Sequence, residues 1–284
     1  RMPNDLAGRL QVRADSWLDI SVLAEYALQR LFLTCARADD SDGHLRALCQ
    51  QILSLHQQAA AHMQAPDLLG PQVARLLVRA PEGIMSLEPY LSLMGEDGQQ
   101  RFGSSLELLW QAMQLGEVKH SSPVKPTSVR ALLMSWYLHQ GRIDDWLKLK
   151  HQEKWLPETY KDIAQTLRDA ERIREAIQVL ERGIRQFPEA FALRKMLVDA
   201  YLHDGLQEEA QDMLWQQFLN SPTTQHYGQL RAILPLAERA RWRDKALLHA
   251  QSVEERINNE KPGLPYKGVQ LAIWLTEDDY EQCL

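Results

Sequence analysis

One pattern is written twice within residues 157–222, at a fixed interval of 34 residues. It pairs Ala176 with Ala210, Leu180 with Leu214 and Pro188 with Pro222. In each copy the alanine precedes the leucine by four positions and the proline by twelve. Four positions are about one helical turn, so alanine and leucine share a face. A small residue there lets a second helix cross closely, and the proline ends the helix because it has no N–H for the next turn. A unit of this length holds two helices and cannot bury its apolar face alone, so the copies must stack.

Less regular copies flank these two. Gly141 stands five residues before Trp146, as Gly205 stands five before Ala210. Residues 128–140 and 143–155 therefore read as a divergent helix pair, with Trp146 in the alanine position. A fourth pair over 225–257 carries Ala246, which follows Ala210 by 36 residues. The two extra residues are expected around 237–243. Residues 258–265 read as a polar loop with two prolines. Residues 266–284 match the first half of a further copy, with Trp274-Leu275 in the place of Tyr137-Leu138. They stop where a second helix should begin, which predicts a fragment of a longer protein whose Ile273 and Trp274 lack their full partner.

Upstream, apolar residues recur at threes and fours in two stretches. Over 16–38 they are Trp17, Ile20, Leu23, Ala24, Ala27, Leu28 and Leu31; over 44–63 they are Leu45, Leu48, Cys49, Ile52, Leu53 and Leu55. This spacing predicts two long helices. The acidic turn between them, Asp39-Asp40-Ser41-Asp42-Gly43, invites a calcium-loop reading. With Gly43 as the sixth position, however, Ala38 is first and Cys49 twelfth, and both essential carboxylates are missing. Asp42 is expected to cap the second helix instead. A short helix over 71–79 follows, then helices over 87–94 and 99–115, separated by Gly95-Glu96-Asp97-Gly98. Residues 120–127, with Pro123 and Pro126, form the clearest linker. No stretch alternates with period two for long enough to be a strand. The expected fold is all-α: a helical N-terminal region over 1–119, an α-solenoid of helical hairpins over 127–260, and the start of another repeat over 266–284.

Composition narrows the function classes. A formal charge of −6 over 284 residues argues against a general nucleic-acid or membrane surface. No segment approaches the run of about 18 apolar residues that a bilayer span needs. Asp5, Arg9, Arg13, Asp15 and Asp19 interrupt every early apolar run, so no signal peptide and a cytoplasmic location are expected. The three cysteines, Cys35, Cys49 and Cys283, lack C-x-x-C spacing and read as reduced thiols.

Motifs that carry chemistry are missing from the sequence: no G-x-S-x-G, Walker lysine loop, H-E-x-x-H or G-x-G-x-x-G is present. His56 and His62 are six apart, which sets them far around a helix and makes a poor chelating pair. Asp144-Asp145 and Glu208-Glu209 stand where second helices begin, where negative charge suits the helix dipole. Cys35 and Cys49 fall on apolar faces. Trp136, Trp146 and Trp155 recur at helical spacing and read as packing residues, while Trp215 and Trp242 also suit an edge. Arg239, Arg241, Arg243 and Lys245 form the densest basic run. A solvated turn is one reading of that run, and an anion or nucleic-acid contact the other. No catalytic residue, metal ligand or cofactor is assigned to this chain.

The register of residues 157–222 resembles that of tetratricopeptide repeats, in which the first helix of each pair lines a concave face. Counted from Pro157 and Phe191 as first positions, the second, fifth, ninth and twelfth residues face inward under this resemblance. They are Glu158, Lys161, Gln165 and Arg168, then Ala192, Lys195, Asp199 and Leu202. Lys161, Gln165, Arg168, Lys195, Asp199 and Leu202 are the expected protein-binding groove. Its cations suit an acidic peptide or a terminal carboxylate, which arginine can hold in bidentate fashion.

The first half carries "DDSDG" from Asp39, "LSLHQQAAAHM" from Leu53, "PDLLGPQVARLL" from Pro66 and "YLSLMGEDGQQRF" from Tyr90. In this order, ahead of a repeat region, they resemble the C-terminal helical region of bacterial SWIM-type zinc-finger proteins. The family's C-x-C…C-x-H finger would lie upstream, so any zinc belongs there and to no residue of this chain. The resulting expectation is a non-enzymatic protein-interaction scaffold. A nucleic-acid-associated module assisting an upstream finger is the alternative, and an enzyme with a site between the two halves is a further one.

Overall fold

The computed structural model describes residues 17–38, 40–63, 66–118, 124–260 and 268–277. Asp39, Cys283, residues 120–123 of the expected linker, residues 261–265 of the expected loop and residues 278–284 lie outside them. Every regular element among the described residues is a helix, thirteen in all. None is long and apolar enough to cross a membrane. The chain divides into two compact units, Arg1–Leu149 and Lys150–Leu284.

In the first unit, α1 (Trp17–Cys35) packs on α2 (His44–His62). Their apolar stripes meet as the spacing requires, with Ala24, Leu28 and Phe32 against Cys49, Ile52 and Leu53. The cap of α2 differs from expectation. Its first turn is held by Asp40, whose carboxylate accepts the backbone N–H groups of Leu45 (2.8 Å) and Arg46 (2.9 Å). Gly43 directly precedes the helix with φ of 70°, a left-handed turn that leaves Asp40, rather than Asp42, facing the free N–H groups.

Helix α3 (Pro66–Leu77) starts five residues before the predicted position and carries Pro71 inside it. Pro71 lies only one turn in and forgoes the single bond that an N–H would make to the Asp67 carbonyl. Helix α4 (Glu88–Gln114) joins the two helices predicted on either side of 95–98. Only Gly95 departs from helical geometry there (φ 59°, ψ −174°), so the expected gap narrows to a kink. Glycines set the α3–α4 crossing: a Cβ on Gly70 would stand 2.0 Å from the Gly98 carbonyl oxygen.

Helix α5 (Pro126–His139) packs on α4, with the Trp136 ring edge-on to Phe102 at 4.9 Å and tight against Gly103. That contact explains why the first unit extends to Leu149. The divergent pair, α5 and α6 (Ile143–Lys150), falls almost wholly within this unit. Helix α6 ends five residues earlier than expected. His151 and Trp155 stack at 4.7 Å, and Leu156 is extended (ψ 168°), as the residue before Pro157 prefers.

The second unit comprises α7 (Pro157–Asp169), α8 (Ile173–Gln186), α9 (Phe191–His203), α10 (Gln207–Asn220), α11 (Thr224–Ile233), α12 (Leu236–Glu260) and α13 (Gly268–Thr276). From α7 to α11 each helix packs on the next, and α9 also packs on α7. Ala176 and Ala210 have no exposed surface, as close crossings demand. Gly183 meets the same demand, since a Cβ there would come within 2.9 Å of the Tyr160 ring.

The fourth copy absorbs its extra residues in a long helix rather than a loop. Only Leu234 and Pro235 separate α11 from α12, and residues 237–243 are helical. Asn258 is also inside α12, so the expected polar loop cannot begin there. Helix α13 packs on both α11 and α12, which fully buries Ile273 and half-buries Trp274. Ile273, expected to lack its full partner, is therefore completely covered, whereas Trp274 is covered only in part. Two side-chain contacts hold this helix: Glu254 receives its first N–H groups, and Glu277 receives Tyr227 O–H (2.7 Å) and Arg231 Nε (2.8 Å).

Candidate functional site

Helix α9 presents Phe191, Lys195, Asp199 and Leu202 on one face, at spacings of four, four and three residues. This face borders a cavity of about 200 Å³ whose other walls are Leu214 and Gln217 of α10 and Gln229, Ala232 and Ile233 of α11. Val198 completes the lining. The walls are mostly apolar, and Phe191, Lys195, Asp199 and Ala232 are exposed to solvent.

Its polar side chains set this cavity apart. Lys195, Asp199, Gln217 and Gln229 have no hydrogen bond or ion pair among the described residues. Other charges of this unit do form pairs, as in Arg172–Glu175 (2.6 Å) and Arg231–Glu277 (2.8 Å). Gln217 is the most telling, because only 8% of its surface is exposed. Most of this residue is covered, and its carboxamide has no partner among the described residues, so its donor and acceptor are open to a ligand in the cavity.

Three of the six expected groove residues, Lys195, Asp199 and Leu202, line this cavity, and three do not. On α7, Lys161 pairs with Glu158 (3.5 Å), Gln165 donates to Asp169 (2.7 Å), and Arg168 is half-buried. The register would have found more if carried one copy further. Counted from Gln225, the fifth and ninth residues are Gln229 and Ile233, and both line the cavity. Leu214 and Gln217 belong to a second helix and had no such signal.

The basic run lies within α12, not in a turn, and three of its four cations are engaged. Arg239 Nε donates to the Leu234 carbonyl (3.3 Å), and Arg243 donates twice to Asp244 (2.9 and 3.1 Å). The Lys245 ammonium sits 4.5 Å from the Trp242 ring centre and 4.7 Å from that of Trp215, a cation held between two π-faces. Arg241 is exposed. Trp215 itself is buried and Trp242 half-buried.

A buried polar chain in the first unit resembles catalytic machinery in its residue types alone. Ser21 donates its single proton to Gln72 Oε1 (3.1 Å), so its oxygen must accept from His56 Nε2–H (3.4 Å). His56 Nδ1 then accepts the Tyr90 hydroxyl proton (3.0 Å). Burial pushes the His56 pKa down to about 4 and raises that of Tyr90. Ser21 and His56 have no exposed surface, which keeps them from any substrate in this conformation. Their role is to join α1, α2, α3 and α4 through satisfied hydrogen bonds.

Cys35 and Cys49 lie with their sulfurs 3.8 Å apart. Burial, followed by the neighbouring Cys35, raises the Cys49 thiol to about 12. Among the described residues no group of three or more His, Cys, Asp and Glu side chains could hold a metal ion. No protein-family model matches the chain, and no curated protein matches it.

Proposed function

We propose that this chain is a non-enzymatic protein-interaction module built from tetratricopeptide-like repeats, the helical-repeat part of a larger SWIM zinc-finger protein. In this reading the groove along α9 holds a peptide of the partner. The single observation that carries it is the set of four unpartnered polar side chains, Lys195, Asp199, Gln217 and Gln229, in an otherwise apolar cavity. An apolar recess with a few convergent polar groups binds a ligand through the first and orients it through the second. The packing of α9 on both α7 and α8 supports the repeat reading, because first helices of stacked hairpins must touch. The nucleic-acid alternative draws less support, since Arg239, Arg243 and Lys245 are already engaged within the fold.

The test is selection from a displayed library of random peptides. Peptides enriched on the wild-type chain should lose at least about tenfold in affinity on an Ala232→Arg variant, which places a long side chain in the groove. Ala232 is exposed, so the variant should melt with the wild type. A library without enriched peptides, or peptides that bind both proteins equally, would overturn the reading.

A further inference from the structure

The charges of the groove have a fixed order and spacing, and these restrict what it can hold. Lys195 and Asp199 are four residues apart on α9 and lie one above the other. The rise between them is about 6 Å along the helix axis. They have opposite charge, yet they pair neither with one another nor with any other described residue. Apolar lining from Phe191, Val198 and Leu202 brackets them on the same helix.

Resting on the peptide-groove reading above, we propose that the groove selects a segment in which one large apolar residue stands between an acidic and a basic residue. Two residues of extended chain span about 6.6 Å, close to the separation of the two charges. An acidic side chain at Lys195 and a basic one at Asp199 therefore leave one residue between them. Successive side chains of an extended chain point opposite ways, so that residue turns from α9 across the cavity of about 200 Å³, towards Ala232 and Ile233 of α11. The carboxamide of Gln217, which lines the same cavity, has one donor group and one acceptor and matches the C=O and N–H of the anchoring residue's peptide bonds. A hydrocarbon chain would leave that carboxamide unsatisfied, so the groove favours a peptide over a lipid tail.

Three blocked tripeptides test this: acetyl-Glu-Leu-Lys-amide, acetyl-Lys-Leu-Glu-amide and acetyl-Gln-Leu-Gln-amide. Each is titrated into ¹⁵N-labelled protein while the Gln217 side-chain amide signal is followed. One charged peptide, the one whose direction fits, should bind about three- to tenfold tighter than the neutral one, as two exposed ion pairs allow. The other charged peptide should bind no better than the neutral one. A double variant, Lys195→Asp with Asp199→Lys, should transfer the preference to the opposite charged peptide. Equal binding of all three, or a preference that survives the exchange, would overturn the proposal. If none of the three binds while library-selected peptides still do, the charge selectivity is wrong and the peptide groove stands. If neither kind binds, both readings fall.

Discussion

Gly70 lies so close to Gly98 that a methyl group on Gly70 would stand 2.0 Å from the Gly98 carbonyl oxygen. The obstacle is backbone, so no side-chain rotation relieves it, and α3 and α4 would have to separate. Gly70→Ala should therefore destabilise the protein by about 3 kcal/mol or more, at the upper end of overpacking effects. Urea unfolding measures this directly. A midpoint equal to that of the wild type would mean that the two helices do not cross at these glycines.

Ala176 and Ala210 are the corresponding contacts of the repeats, both without exposed surface. Ala176→Leu and Ala210→Leu should each cost about 1–3 kcal/mol through overpacking. Glu208→Ala, at an exposed position in the first turn of α10, should stay within about 0.5 kcal/mol. Leucine variants that melt with the wild type would contradict the 34-residue register.

His56 makes stability depend on pH in a defined direction. Its folded pKa of about 4 lies below the ordinary value of 6.5, so the unfolded chain binds more protons between these limits. The stabilisation is fully present above pH 6.5 and is lost as pH falls towards 4. The loss is about 3 kcal/mol from this group. A His56→Leu variant should flatten the pH dependence of the urea midpoint over that window. Parallel curves for both proteins would show that His56 titrates normally.

Glu254 is 3% exposed and its carboxylate accepts the backbone N–H groups of Val269 (2.8 Å) and Gln270 (2.9 Å) at the start of α13. A charge at that helix end is favoured twice, by hydrogen bonding and by the helix dipole. Glu254→Leu should cost about 1.5–3 kcal/mol. It should also speed hydrogen exchange at Val269 and Gln270 before it affects α9. Unchanged exchange at those two amides would contradict the cap.

Cys49 should resist alkylation in the folded protein. With its pKa at about 12, only about one thiol in ten thousand is ionised at pH 8. Iodoacetamide should label the half-buried Cys35 first and reach Cys49 only after urea is added. Mass spectrometry of the labelled peptides decides this. Early labelling of Cys49 would show that the core around it opens.

The sequence determined on its own the features that depend on local spacing. Helical periodicity placed Ala176 and Ala210 on the buried faces, and it placed Lys195, Asp199 and Leu202 together on one face of α9, which the resemblance to tetratricopeptide repeats singled out and which lines the cavity. Both follow from the 3.6-residue turn, which fixes what shares a face. Periodicity does not say which other face that one will meet. Gln217 reaches the groove from α10, Lys245 folds onto Trp242 and Trp215, and Glu254 meets a helix that starts fourteen residues later. Likewise Lys161, Gln165 and Arg168 share the register of the groove residues but line no part of the cavity, and Asp40 takes the cap expected of Asp42. These outcomes depend on the distance and angle between helices, set by contacts such as Gly183 on Tyr160 and Gly70 on Gly98, and only the tertiary structure decided them.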